Sequence, residues 1–317
     1  MRRLCFLGVL SVRFLLAQAA SEPVVLTIDV ENYVAYRGDV LDPAKVATNP
    51  NSTTGIVAAF LESVQVGDIV AVNGKPAKGL YQTGGVIMPF RANPTAGQPI
   101  ADLNSGGRFN CTWEILGADG AYIGTLLDGG AANGHAVMGG IGAFAGVAGV
   151  HVADTLVAQR SASSAEDPSK RRVNGATGKL RATFYLYPAV RPTVQMTANG
   201  PAIAHLDYAP VTTANPARPG ETLILAATGL GPVKPGIQPA GVVPFSGSPY
   251  QEVNSPVGLI FNGKEVPVTN KIGWPGQKDL YWISVPVPSD ASAGTATLQL
   301  VAAWIPGPAV TIPVGVR

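Results

Sequence analysis

Apolar and polar residues alternate strictly between positions 108 and 116. Phe109, Cys111, Trp113 and Ile115 fall on one face of an extended chain, and Asn110, Thr112, Glu114 and Leu116 fall on the other. Successive side chains of a β-strand point to opposite faces. This period of two therefore predicts a strand with one apolar face and one mostly polar face.

Similar short, turn-bounded segments recur as far as residue 187. Asp119-Gly120 is a strong hairpin signal and leads into a strand at 121–127. Further strands are predicted at 24–30, 55–65, 68–73, 79–90, 136–138, 149–157 and 179–187, although 57–62 also suits one or two helical turns. About eight short strands joined by turns predict a closed barrel or a sandwich.

A glycine-dense segment at 139–149 is predicted to form a tight turn at a corner of this sheet. Glycine tolerates positive φ and lets neighbouring backbone approach closely, as such corners require. The residues assigned to this turn are Gly139, Gly140, Gly142, Phe144, Gly146 and Gly149, with Phe144 as its buried aromatic. A phosphate-binding loop is disfavoured, because no Gly-Lys-Ser/Thr follows and no helical pattern opens after the segment.

The C-terminal part shows a second all-β pattern after a proline-rich stretch. Prolines recur every few residues over 188–219, which predicts an extended linker with a short edge strand near 203–206. Strands are then predicted at 221–227, 256–262, 264–268, 280–287, 295–304 and 309–316. Their spacing is typical of an immunoglobulin-like β-sandwich over 220–317.

Composition and the N-terminus suit a secreted all-β protein. The 317 residues include 38 glycines and 27 prolines, and only 13% are charged, about half the usual share. Residues 1–19 predict a signal peptide, because Arg2 and Arg3 precede an apolar run that ends in Ala17-Gln18-Ala19. That leader holds three arginines and no acids, so the net charge of +2 belongs to it and nucleic-acid binding is not expected. The expected location is extracellular or in the cell envelope.

Motifs that carry chemistry are sparse. Cys5 lies in the leader and leaves Cys111 alone, so neither an internal disulfide nor a cysteine-based metal cluster is predicted. His135, His151 and His205 show no metal-binding spacing, and His135 is predicted to be a turn or rim residue. No Gly-x-Ser-x-Gly elbow occurs. The patterns therefore name no catalytic residue, metal or cofactor.

Three motifs in the C-terminal part follow the order of a known family. Pro216-Ala-Arg-Pro-Gly-Glu221, Thr228-Gly-Leu-Gly-Pro-Val233 and Tyr281-Trp-Ile-Ser-Val-Pro-Val-Pro288, followed by Gly294, resemble the Solibacter-type C-terminal domain. That family is related to the immunoglobulin-like IPT/TIG folds and ends large secreted bacterial proteins. The resemblance covers about 196–317 and implies a module without catalytic residues.

The N-terminal part resembles the allene oxide cyclase/dirigent barrel family. The resemblance lies in Val66-Gly-Asp68, 106–111, Asp119-Gly120 and Gly139-Gly-Ile-Gly-Ala-Phe-Ala-Gly-Val-Ala-Gly149, where Ile141 replaces the usual threonine of the family's glycine run. It covers 24–187 and implies an eight-stranded antiparallel barrel that can hold a small apolar ligand, and in several members a trimer. Such proteins steer reactive intermediates by shape rather than by a strong catalytic group.

Three residues are candidates for ligand binding in such a barrel. Arg108 and Glu114 share the polar face of 108–116, and Tyr185 lies opposite Phe184 in the strand at 179–187. These side chains either line the lumen, where they would orient a polar ligand head, or lie on the outer surface in water.

We therefore expect a secreted bacterial two-domain β protein that is non-catalytic. Its barrel would hold a small hydrophobic ligand, and its immunoglobulin-like module would make contact with an extracellular protein or glycan. One alternative is a cyclase, isomerase or dirigent-like auxiliary that acts on a hydrophobic substrate in the barrel. The other is a cell-surface glycan-binding or adhesion protein that uses exposed aromatics such as Trp274 and Trp304.

Overall fold

The computed structural model describes residues 22–37, 61–88, 106–131, 134–158, 160–162, 178–236 and 241–316. Every regular element in these ranges is a β-strand. No helix long and apolar enough to cross a lipid bilayer occurs there. The predicted leader at 1–19 lies outside the described residues.

Eight antiparallel strands close into a barrel. The N-terminal strands are β1 (Val24–Arg37), β2 (Leu61–Val72), β3 (Lys75–Pro76), β4 (Lys78–Met88), β5 (Gly106–Leu116), β6 (Tyr122–Ala131), β7 (Gly134–Gly142), β8 (Ala148–Val157), β9 (Arg160–Ala162) and β10 (Gly178–Tyr187). The barrel order is β1-β2-β4-β5-β6-β7-β8-β10, and β1 closes it by pairing with both β2 and β10. The two-residue β3 and the parallel β9 are short additions to this sheet. The all-β class and the eight-stranded antiparallel barrel are thus confirmed.

Burial follows the alternation that the sequence shows. In β5, Cys111, Trp113 and Ile115 are buried, whereas Asn110 and Glu114 are exposed. Strand β10 alternates in the same way along its whole length. Strand β2 differs from the prediction, because Leu61–Val72 is one continuous strand where the sequence indicated two shorter ones.

The glycine-dense segment is divided between two strands and a turn. Phe144 and Gly146 lie in the turn at 143–146, whereas Gly139, Gly140 and Gly142 belong to β7 and Gly149 to β8. The buried Phe144 folds back over β6 and β7, and a Cβ at Gly140 would lie 2.6 Å from the Phe144 carbonyl oxygen. The segment therefore needs glycine for close approach as well as for its positive φ of 68° at Gly142.

One end of the barrel is covered by the C-terminal part of the chain. At this end, short connections at 73–74, 117–121 and 143–147 join the strands. Ala303 and Ile305 of the C-terminal part are buried in the barrel core. Polar contacts support the junction: the Asn254 side-chain amide donates to the Tyr122 carbonyl at 2.8 Å.

Three further sheets form the C-terminal part. They contain β11 (Thr193–Val194), β12 (Met196–Thr197), β13 (Gly200–Pro201), β14 (Ile203–Ala204), β15 (Thr222–Thr228), β16 (Val233–Lys234), β17 (Glu252–Val253), β18 (Val257–Phe261), β19 (Lys264–Pro267), β20 (Asn270–Gly273), β21 (Tyr281–Pro286), β22 (Gly294–Ala302) and β23 (Ile305–Val314). A seven-stranded sheet holds β11, β14, β15, β16, β17, β20 and β21, a four-stranded sheet holds β18, β19, β22 and β23, and β12 and β13 form a separate pair. One hydrophobic core contains buried residues of both larger sheets.

The stretch at 188–219, predicted to be a linker, is integrated into this C-terminal core. Strands β11 and β14 both pair with β15, and their residues Val194 and Ile203 are 1% and 2% exposed. The predicted edge strand near 203–206 corresponds to β14. Proline-rich sequence can form such short edge strands when its missing N–H groups face away from the ladder.

Candidate functional site

A cavity of about 470 Å³ occupies the barrel lumen on the side away from the C-terminal part. Polar side chains form most of its wall, together with aromatic rings and a few aliphatic groups. The lining comprises Tyr33, Gln65, Tyr81, Thr83, Phe109, Gly134, His135, His151, Val152, Ala153, Asp154, Thr155 and Leu180. A concave pocket in which polar groups converge beside aromatic rings can hold a small molecule that has both an apolar body and a hydrogen-bonding end.

A buried carboxylate lies at the base of this cavity. Asp128 in β6 is 0% exposed, and the register between β6 and β7 shifts next to it. The Trp113 indole Nε1 donates to Asp128 Oδ2 at 2.6 Å, and Asp128 Oδ1 lies 2.7 Å from His135 Nδ1. An indole N–H can only donate, so Asp128 accepts that bond and is held between two strands that flank it.

His135 is oriented by this carboxylate. Its Nδ1 is within hydrogen-bond reach of Asp128, so the neutral ring places its proton on Nδ1 and its lone pair on Nε2. No described residue hydrogen-bonds Nε2, and His135 lines the cavity. A histidine oriented by a carboxylate, with a free Nε2 in a pocket, has the arrangement of a general base.

His151 lines the same cavity as a neutral side chain. Residues His135 and His151 are directly opposite each other in the β7–β8 pairing, and their rings are 4.8 Å apart. The His151 ring stacks on Phe184 at 4.7 Å and is 4% exposed. Burial lowers the pKa of His151 to about 4, against the opposing attraction of Asp128. Its Nδ1 is 3.4 Å from Asp128 but forms no hydrogen bond, so we interpret this contact as a neutral one.

Protonation of His151 is expected to weaken the fold as the pH falls. The pKa of His151 is lowered from 6.5 to about 4 on folding, so the unfolded chain takes up the proton first. The free energy of unfolding is therefore highest above pH 6.5. It falls by about 3 kcal/mol between pH 6.5 and about 4 because of this group. Urea unfolding of the wild type and His151→Phe across this window measures the effect. Equal pH slopes in the two proteins would contradict the prediction.

Cys111 adds a thiol to the cluster. It donates to Thr83 Oγ1 at 3.2 Å, and its sulfur lies 3.4 Å from His135 Nδ1. Burial, followed by the nearby Asp128, raises the pKa of the thiol to about 12. The thiol is therefore protonated at neutral pH and is a poor nucleophile.

The same groups are close enough to be considered as metal ligands. Donor atoms of Cys111, Asp128 and His135 lie within 4.8 Å of one another. Tetrahedral zinc with bonds of about 2.0 Å holds nitrogen and oxygen ligands about 3.3 Å apart. The 2.7 Å between His135 Nδ1 and Asp128 Oδ1 is shorter than that and fits a direct hydrogen bond. The geometry thus suits proton transfer better than metal binding.

Two tyrosines and a glutamine provide further polar groups. Tyr33 donates its hydroxyl hydrogen to Gln65 Oε1. The Tyr33 and Tyr81 rings are 5.9 Å apart, and Tyr81 packs on Trp113 at 4.1 Å. Burial raises the pKa of Tyr33 to about 12 and that of Tyr81 well above its usual value. Both hydroxyls therefore keep their protons and remain hydrogen-bond donors at neutral pH.

The residues proposed from the sequence lie elsewhere. Glu114 and Tyr185 are exposed on the outer face of the barrel and do not line the cavity. For Arg108 the structure describes the backbone, which pairs with Val86 and Ala131. His135, predicted to be a turn or rim residue, is a residue of β7 that lines the cavity.

The two aromatics proposed for glycan contact occupy different surroundings. Trp274 packs against Trp282 with ring centroids 5.6 Å apart. Trp304 is partly buried against the barrel core, beside Ala303 and Ile305. They therefore do not form one aromatic surface.

Comparison with known proteins adds no family to this description. Neither the family models nor the curated proteins searched contain a match to the chain. The functional argument below therefore depends on the geometry of the site.

Proposed function

We propose that the barrel binds a small, largely hydrophobic molecule in its lumen. The observation that carries the proposal is the cavity of about 470 Å³, which is of the size of known small-molecule sites and is lined by Tyr33, Tyr81 and Phe109. Aromatic rings contribute large apolar contact areas with little loss of conformational freedom. The polar groups at the base would fix the orientation of a ligand that carries one hydrogen-bonding end.

The C-terminal sheets would serve as an immunoglobulin-like module for surface contact in a secreted protein. Two sheets that share one core support this proposal, as does the resemblance of the C-terminal motifs. The module also covers one end of the barrel, so that a ligand would enter from the other end.

A second candidate function is catalysis of the isomerase or cyclase class on the bound molecule. The hydrogen-bonded Asp128 and His135 favour it over simple storage. A fully buried carboxylate is expensive to desolvate, and an apolar residue would pack a storage site at lower cost. The carboxylate is accounted for if it orients a base that acts on the ligand.

Filling the mouth of the cavity is expected to weaken binding. Ala153 lines the cavity, so the ring of Ala153→Phe would occupy ligand volume. We expect the affinity for the fluorescent apolar probe N-phenylnaphthylamine to fall at least about 10-fold, because a contact region of ring size is lost. Fluorescence titration of the folded proteins measures this change.

The matched control is Val150→Phe on the same strand. Val150 is 52% exposed and does not line the cavity, so the added ring would lie on the outer face. Its affinity for the probe is expected to equal that of the wild type. Equal binding by Ala153→Phe, or absence of binding by the wild type, would refute the lumen as the ligand site.

A further inference from the structure

Two kinds of polar group face the same cavity and differ in what they do to a proton. His135 offers a lone pair on Nε2, since its Nδ1 is engaged by Asp128. Tyr81 offers a hydroxyl hydrogen, whereas that of Tyr33 is engaged by Gln65, and both tyrosines line the cavity with His135. A base and a neutral donor in one pocket can remove a proton from carbon and stabilise the negative charge on oxygen.

We propose that the site isomerises β,γ-unsaturated carbonyl compounds to their conjugated α,β isomers, with His135 as the base and the Tyr81 hydroxyl as the donor to the carbonyl oxygen. This inference rests on the proposed binding function, because the substrate must occupy the lumen. It deepens that function by naming the substrate class and the role of each group.

The proton transfers balance without a co-reactant. His135 Nε2 removes a proton from the α carbon, the C–H electron pair forms a double bond between the α carbon and the carbonyl carbon, and the carbonyl π pair moves to oxygen. The dienolate oxygen then accepts a hydrogen bond from the Tyr81 hydroxyl. In the second step the oxygen re-forms the carbonyl, the pair between the carbonyl and α carbons becomes the α,β double bond, and the β,γ π pair takes the proton from Nε2 at the γ carbon, so the same base serves both steps.

The Tyr81 hydroxyl is suited to stabilise the negative charge that develops on an enolate oxygen. Burial keeps the Tyr81 phenol proton in place at neutral pH, because it raises the pKa of Tyr81 well above its usual value. Such a donor stabilises a developing oxyanion without giving up its proton in the resting site. Tyr33 donates its hydroxyl hydrogen to Gln65, and its ring, 5.9 Å from that of Tyr81, helps to position the donor.

The aromatic wall favours a planar conjugated substrate. The rings of Tyr81 and Phe109 line the cavity, and the Phe109 ring lies 6.5 Å from the His135 ring at an angle of 18°. Flat surfaces of this kind contact a dienolate, which is planar, over more of its area than a bent saturated chain. Binding is thereby stronger in the geometry that the transition state approaches.

His135 is a catalytic residue in this scheme, and Asp128 is a positioning residue that acts through it. The carboxylate holds the tautomer in which Nε2 is unprotonated. Three strands supply titratable groups that contact the His135 ring: Cys111 from β5, Asp128 from β6 and His151 from β8.

The test uses the β,γ isomer of cyclohexenone, whose conversion to the conjugated isomer is followed by ultraviolet absorbance. The wild type is expected to catalyse the conversion, and His135→Gln to lower kcat by about 1,000-fold, within the range for loss of a general base. Tyr81→Phe is expected to lower kcat by about 100-fold, as for loss of one oxyanion donor, and Tyr33→Phe is expected to lower it less, because the Tyr33 hydroxyl donates to Gln65. The exposed Tyr187→Phe on the outer face is the matched control and should retain wild-type kcat.

Binding is measured separately, so that the two proposals fail in different ways. Naphthol, a planar mimic of the enol, should bind the wild type about 10-fold more tightly than naphthalene, and Tyr81→Phe should lose most of that preference because one donor is removed. For Asp128→Asn, nitrogen NMR should report a changed His135 tautomer population together with lower kcat and unchanged N-phenylnaphthylamine affinity.

Each outcome has a fixed meaning. A wild type that binds naphthol and the ketone but releases no conjugated product overturns the isomerase proposal and leaves the binding function intact. The same holds if His135→Gln turns over as fast as the wild type. Failure of the wild type to bind naphthol, naphthalene and N-phenylnaphthylamine overturns the binding function and the isomerase proposal together.

Discussion

Trp113→Ala is expected to lower the free energy of unfolding by about 4 kcal/mol, the largest effect of a single change in the barrel. Trp113 is 0% exposed, and its ring contacts Tyr81, Phe184 and His151 at centroid distances of 4.1, 5.2 and 5.5 Å. Truncation leaves a large void that the closed sheet cannot collapse to fill, and it removes the Nε1 donor to Asp128.

Two comparisons separate these contributions. Trp113→Phe keeps a ring in the stack but loses the N–H, so we expect a loss of about 2 kcal/mol. Trp274→Ala, which removes a partly buried indole in the C-terminal part, is expected to cost less than Trp113→Ala. Hydrogen exchange of barrel amides measures the change within the barrel. Unaltered protection in Trp113→Ala would show that this ring does not hold the core together.

Asp128→Ala is expected to lower the free energy of unfolding by about 3 kcal/mol, because two buried donors lose their acceptor. These are Trp113 Nε1–H and His135 Nδ1–H, which lie 2.6 and 2.7 Å from the carboxylate oxygens. Loss of one partner from a buried polar network leaves the others desolvated without compensation. Urea unfolding of the two proteins at neutral pH provides the measurement.

Asp128→Asn is the comparison variant, because it keeps the size of the side chain and removes its charge. Its amide oxygen can still accept one of the two bonds, so we expect a smaller loss of about 1–2 kcal/mol. An Asp128→Ala protein as stable as the wild type would mean that the cost of burying the carboxylate equals the value of its hydrogen bonds. In that case the carboxylate would have no role in stability.

The barrel was predictable to the extent that each strand carries its own pattern. Strict alternation in 108–116 identified β5 and its inward face, and Asp119-Gly120 identified the hairpin to β6. These are local features, since one strand and one turn contain all the information needed. Closure depends instead on the pairing of β1 with both β2 and β10, which joins residues far apart in sequence.

The site was not predictable for the same reason. Asp128, His135 and His151 come from three strands, and the sequence shows neither the register that places the two histidines opposite each other nor the shift next to Asp128. Their inward direction was visible only weakly, as Asp128 lies two residues after the buried Leu126 in a segment whose strand was predicted to end at 127.

The proposed ligand residues were chosen from the opposite face of their strands. Glu114 and Tyr185 are polar residues among outward positions, where solvation makes such side chains inexpensive. The polar groups that line the lumen lie instead among buried aromatic residues, where each requires a partner. A polar residue in register with a strand's apolar face is therefore the stronger sign of a site in a closed barrel.

The hairpin between β22 and β23 makes the two halves of the chain inseparable in practice. Its tip inserts Ala303 and Ile305, 1% and 2% exposed, into the barrel core. Without this hairpin, the apolar core at the covered end of the barrel would be exposed to water. We expect the N-terminal part, expressed alone, to self-associate through that surface. We therefore expect that the two parts must be produced as one chain to remain in solution.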